Sequence, residues 1–153
     1  MKKKVISTRN IFLFLAVIFI GIQFYRPNKN IQDDASYNDF LKTENAPEHI
    51  SNLFKNSCYN CHSNTTDYYW YDNISPASWY VDNHIVEAKS ELNFSKWKHI
   101  DYRTKRVHLS NIATNITDNK MPIPSYTFMH PDAKLSKEQI AQILEWIGTI
   151  EVN

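Results

Sequence analysis

Apolar positions recur at helical spacing through most of the chain. Ile50, Leu53 and Phe54 fall at i, i+3 and i+4, and Cys58 and Cys61 continue nearly the same face. Residues 78–92 carry Val81, Ile85, Ala88 and Leu92 on one stripe and predict a second helix. Residues 103–117 carry Leu109, Ile112, Ala113 and Ile116 and predict a third. The last helix is the best marked. Ser136 is placed to cap it, Gln139 to complete a capping box, and Leu135 to staple onto Ile140. Its buried stripe is Ile140, Ile143, Leu144 and Ile147, with Trp146 beside them. Asn45 reads as the cap of the first of these helices, with Pro47 in its first turn and Glu48 at the capping-box position. Ser95 reads as the cap of a short element bearing Trp97. Two prolines in Lys120-Met121-Pro122-Ile123-Pro124-Ser125-Tyr126 predict an extended loop. The whole pattern predicts an all-α fold.

The N-terminus lacks this periodicity. Residues 11–22 are apolar without interruption, and Lys2, Lys3, Lys4 and Arg9 stand in front. A positive stretch before an apolar run has the form of a secretory signal. The run is short for a spanning helix, which needs about 20 mostly apolar residues. Counting on to Tyr25 lengthens it at the cost of Gln23. Ile20, Ile22, Phe24 and Tyr25 are bulky and offer no small-residue cleavage site, so the expectation is an uncleaved signal anchor. The alternative is a cleaved signal and a soluble periplasmic protein. The lysines are expected to stay inside, with the rest of the chain outside. The domain reading is therefore an anchor at 1–25, a tether at 26–44 opened by Pro27, and a folded domain at 45–153. Tyr37 to Leu41 are expected to dock on that domain.

Composition sharpens the picture in two places. The net charge of +1 hides an asymmetry. Six of the 17 basic residues precede residue 30 and no acidic residue does, which leaves 11 basic against 16 acidic residues in the remainder. A mildly acidic domain argues against nucleic acid as a partner. Glycine occurs only at Gly21 and Gly148, so glycine-dependent hairpins and phosphate loops are not expected.

The chemistry sits in Cys58-Tyr59-Asn60-Cys61-His62, a C-x-x-C-H run of the c-type haem attachment kind. Two thiols three positions apart share one side of a helical turn. There they are placed to form thioethers with the two vinyl groups of one haem, and His62 follows directly as the proximal iron ligand. A thioredoxin-like C-x-x-C wants a βαβ context, and these flanks read as helical. A zinc site usually wants four protein ligands, and the chain has two cysteines. A plain disulfide would leave His62 unexplained. The aromatic stretch from Thr66 to Pro76 reads either as cover for a haem edge or as a packed loop.

The order of helix, C-x-x-C-H, further helices, Met-Pro loop and C-terminal helix resembles a class I cytochrome c. Finer details resemble the haem-binding domain family of small exported bacterial proteins. The resembling residues are Cys58 to Asn64, Trp70-Tyr71, Asn83-His84-Ile85, Leu92-Asn93-Phe94-Ser95 with Trp97, Met121-Pro122, and His130 to Ser136, spread over residues 45–150. Tyr69 stands where members commonly carry a proline. The resemblance implies a class I-like helical domain, crossing first and last helices, and a sixth ligand from the Met loop. It fits the export read from the N-terminus, which is expected to place residues 11–25 in the bacterial inner membrane, since haem c is attached on the outer side of that membrane. It names no redox partner.

Met121 is the preferred sixth ligand, because a thioether in a Pro-rich loop gives a His/Met haem. His84, expected mid-helix, is the runner-up, followed by Met129, His130 and an open position. His49, His99 and His108 neighbour charged residues and are expected to be solvated. Two functions follow. One is electron transfer by a small cytochrome with one covalent haem c. The other is a haem enzyme or a gas or redox sensor with an open or displaceable sixth position. The absence of an Arg beside a candidate distal His weakens a peroxidase.

Overall fold

The computed structural model describes residues 7–32 and 36–151. Among them the secondary structure is helical, with an isolated antiparallel bridge between Ile31 and Thr65 and no strand. The helices are α1 (Thr8–Ile22), α2 (Phe40–Thr43), α3 (Glu48–Phe54), α4 (Asn60–His62), α5 (Ala77–Glu91), α6 (Tyr102–Thr117), α7 (Pro124–Met129) and α8 (Lys137–Gly148). A wide π-type turn, Lys55–Tyr59, joins α3 to α4. Residues Val5 and Ile6 and the lysines before them lie outside the described residues.

Two compact units form. One holds the described residues up to Lys29 together with Tyr68–His84; the other holds Asn30–Asp67 and Ile85 onward. In the first unit, α1 buries none of its residues. Among the described residues, no helix is long and apolar enough to cross a membrane.

The second unit is built around Phe40, which is fully buried. Its ring meets Phe54 at 5.4 Å, Phe94 at 5.1 Å, Trp97 at 4.6 Å and Trp146 at 5.3 Å between centroids. Edge-on and offset arrangements of this kind add to the area buried. Phe54 and Trp146, 5.7 Å apart, bring α3 onto α8. On α8 the buried positions are Ile143 and Trp146, with Ile140, Leu144 and Ile147 at the edge of the core. Tyr37–Leu41, expected to dock, supplies the centre of the core through Phe40 and Leu41.

The C-terminal helix has the expected cap. The Gln139 N–H donates to Ser136 Oγ at 3.2 Å, and the Ser136 N–H donates to Gln139 Oε1 at 2.8 Å. Three local expectations are corrected. Asn45 does not cap α3. It adopts φ 51° and closes α2 instead, with its N–H on the Lys42 carbonyl and the Ala46 N–H on the Leu41 carbonyl. That is a Schellman closure with asparagine in the left-handed position usually given to glycine. Asn119, φ 54°, closes α6 in the same way, with the Lys120 N–H on the Asn115 carbonyl at 2.9 Å. Asn93, not Ser95, caps the 3-10 element Phe94–His99 by accepting from the Ser95 N–H. Finally, the Pro-rich stretch is not extended throughout. Pro124 takes the first position of α7, where its missing N–H costs nothing.

Candidate functional site

Helical winding from Glu48 to His62 carries the two thiols and the imidazole on successive turns. The π-type turn widens the helix where Cys58 lies; such local unwinding needs outside partners. Side chains of the turn find them across the second unit. Ser57 Oγ donates to the Ala133 carbonyl at 2.8 Å, and Asn56 Nδ2 donates to the Asp132 carbonyl at 2.8 Å.

Cys58 and Cys61 are half-buried and form no disulfide. Burial, and after it the neighbouring Cys61, pushes the Cys58 thiol up to about 12. The thiol is therefore protonated at neutral pH.

His62 is held on two sides. Its Nδ1 lies 3.0 Å from the Leu92 carbonyl oxygen. A carbonyl only accepts, so Nδ1 carries the proton and the lone pair is on Nε2. The ring lies 5.9 Å from Phe94, which in turn stacks on Tyr59 at 5.1 Å. Desolvation lowers the His62 pKa against the opposing pull of the Leu92 and Ala88 carbonyls, which favours the neutral ring.

Residues 92–95 act as one strap. Leu92 holds His62. Asn93 Nδ2 donates to the buried Asn64 Oδ1 at 2.8 Å, and Ser95 Oγ accepts from the Asn64 N–H at 3.0 Å. Asn60, inside the C-x-x-C-H run, organises the other side. Its Nδ2 donates to Tyr126 Oη at 2.8 Å, its Oδ1 accepts from the Asp67 N–H, and its carbonyl accepts from Thr66 Oγ1. The Tyr126 contact ties α7 to the haem motif.

Met121 follows the end of α6, 38% exposed, with its N–H on the Asn115 carbonyl at 3.2 Å. His84 belongs to the other unit. There its Nδ1 sits 2.8 Å from the Tyr80 carbonyl and its ring 4.2 Å from the Tyr80 ring. Met129 is exposed, whereas His130 is buried against Tyr126 at 4.5 Å. His49 and His99 are solvated as expected. His108 is not: it is half-buried near Trp97, and desolvation lowers its pKa.

A family model described as a haem-binding domain matches residues 17–149. The chain belongs to that family. No curated protein and no solved structure matches the chain. The donor set of this haem-binding domain suits haem. Among the described residues no cluster of three or more His, Cys, Asp or Glu is placed to hold a metal ion. One imidazole with a fixed tautomer and two thiols on one turn suit an iron that brings four nitrogens of its own. Sequence reasoning missed the Leu92 carbonyl, Asn60 and Tyr126. Leu92-Asn93-Phe94-Ser95 stood among the resembling residues, but without the bonds that make them a strap.

Proposed function

We propose that this haem-binding domain is a small exported cytochrome carrying one haem c and passing electrons to a partner protein. In this reading Cys58 and Cys61 form the thioethers, His62 is the proximal ligand and Met121 the distal ligand, with His84 as the runner-up. A class I-like arrangement accompanies it, and residues 11–25 anchor the chain on the periplasmic side of the inner membrane.

The observation that carries the proposal is the Nδ1 contact of His62 with Leu92, 3.0 Å, directly after two thiols in one turn. A ligating histidine characteristically donates its other ring N–H to such a carbonyl, which fixes the ring and raises its basicity. The haem iron, when bound, supplies one-electron exchange between its ferric and ferrous states. His62 presents Nε2, and burial keeps the imidazole free of a competing proton. Phe94 lies 5.9 Å from the His62 ring and is itself backed by Tyr59. A Met121 thioether favours the reduced state.

Absorption spectra of the protein made with the haem-attachment machinery, in both oxidation states, test the assignment. The oxidised protein should show the weak near-infrared band of Met-to-ferric charge transfer. Met121→Ala should abolish it, lower the potential and admit carbon monoxide; Met129→Ala should do none of these. A high-spin spectrum in His84→Ala with Met121→Ala unchanged would mean a bis-histidine site. Rapid carbon monoxide binding by the reduced wild type would favour the enzyme or sensor reading.

A further inference from the structure

The first unit carries exposed aromatic side chains to which the proposed iron ligation assigns no role. We propose that residues 68–80, with Phe24 and Tyr25, form a belt that seats the end of α1 at the headgroup boundary of a lipid bilayer. The inference rests on the anchoring reading above.

Three observations within this unit carry it. First, α1 is apolar and exposed all round, from Ile11 to Ile20. Its 15 residues span only about 22 Å, against a hydrocarbon core of about 30 Å. A segment this short relies on interfacial residues at its end to match the bilayer.

Second, the groups that would oppose lipid contact at that end are satisfied by the loop. Gln23 interrupts the apolar run. Its Nε2 donates to the Phe19 carbonyl at 3.0 Å and the Ser75 carbonyl at 2.9 Å, and its Oε1 accepts from the Ser75 N–H at 3.0 Å. The Tyr25 carbonyl accepts from Trp79 Nε1 at 2.9 Å and Ser75 Oγ at 3.3 Å. Left unpaired next to hydrocarbon, each such group would oppose burial at the bilayer boundary.

Third, the rings face outward. Phe24 is 87% exposed, Tyr25 and Trp70 72% each, Tyr80 52% and Tyr69 39%. Tyr25 and Trp79 meet edge-on at 5.9 Å, so the loop rings continue the apolar surface of the helix. Tyrosine and tryptophan, with an apolar body and a polar tip, gather where one side is hydrocarbon and the other water. Arg26 and Lys29 follow at once, and Lys29 Nζ lies 5.1 Å from the Tyr68 ring. Cations there fit anionic headgroups.

The test uses the full-length holoprotein in nanodiscs of phosphatidylethanolamine and phosphatidylglycerol. A trace of phospholipid carries a diazirine near the glycerol end of one acyl chain. After irradiation, lipid adducts are expected on the peptides bearing Tyr25, Trp70 and Tyr80, all exposed in the first unit. Adducts confined to α1 would overturn the belt while leaving the anchor standing. No adducts, with release of the native protein from membranes by carbonate, would overturn the anchor and the belt with it. Gln23→Leu keeps the apolar run but removes the Ser75 contacts. It should retain adducts on α1 and lose those on Trp70; equal Trp70 adducts would overturn the role of Gln23 in seating the loop.

Discussion

In the proposed site His62 offers Nε2 to iron while its Nδ1 proton is committed to the Leu92 carbonyl, where the strap at residues 92–95 begins. Asn93→Ala removes the side-chain bond to the buried Asn64 and the cap on the Ser95 N–H. The cost should be about 1–3 kcal/mol in urea unfolding, together with broadened axial-ligand signals in electron paramagnetic resonance. Asp39 gives a pH prediction. Burial raises its carboxyl pKa despite hydrogen bonds from the Tyr59 hydroxyl at 3.1 Å and the Leu41 N–H at 3.0 Å. The folded state therefore binds the Asp39 proton more tightly than the unfolded state does. That contribution is fully present below the unfolded value of about 3.9 and fades as pH rises through the higher folded value. Asp39→Asn keeps both accepted bonds and removes the ionisation. Relative to wild type, its stability measured by urea unfolding should rise between about pH 4 and neutrality; a constant difference across that range would contradict the assignment. At this scale the sequence displayed the thiols and the imidazole, because their spacing along the chain is itself the chemistry. It could not display the Leu92 carbonyl, since every residue carries one and only the end of α5 selects it.

At the scale of the element, helices were readable from periodicity, and the capped start of α8 with them, but the ends marked by Asn45 and Asn93 were not. The stripe on α8 was visible, yet Ile143 and Trp146 take its centre and Leu144 its edge. Ile143→Ala should accordingly cost about 2–5 kcal/mol in urea unfolding, and Leu144→Ala less. The reverse order would mean a different facing of α8. The two Schellman closures explain how a chain with two glycines turns its helices. Asparagine tolerates the left-handed region, whereas alanine there pays about 1–2 kcal/mol. Asn119→Ala should show that loss, and Asn119→Gly should not. Asn45 was misread as a helix start because asparagine suits both an N-cap and a left-handed C-terminal position. Local sequence does not separate the two. Pro124 misled for a related reason: a proline that forbids helix interior is welcome at a first turn.

For the whole molecule, the informative difference is where the folded body begins. Polar residues after Arg26 read as a tether, and a single Phe40-Leu41 pair carries no period that would mark it as core. Yet Phe40 is the hub of the second unit, and the family match already starts at Val17. Gln23 and Tyr25 hold Ser75 and Trp79. Removing residues 1–26 behind a cleavable signal therefore takes away more than the proposed anchor. It takes the Gln23 and Tyr25 partners of Ser75, itself 1% exposed, from the loop. The core around Phe40, which draws only on residues from Phe40 to Ile150, should survive, and the truncated protein should still acquire haem mass that resists acid-acetone extraction. The segment Tyr68–His84, deprived of the end of α1, should become the first site of limited proteolysis while the full-length protein resists cutting there. Equal protease resistance in both proteins would show that α1 contributes nothing to the fold of that loop.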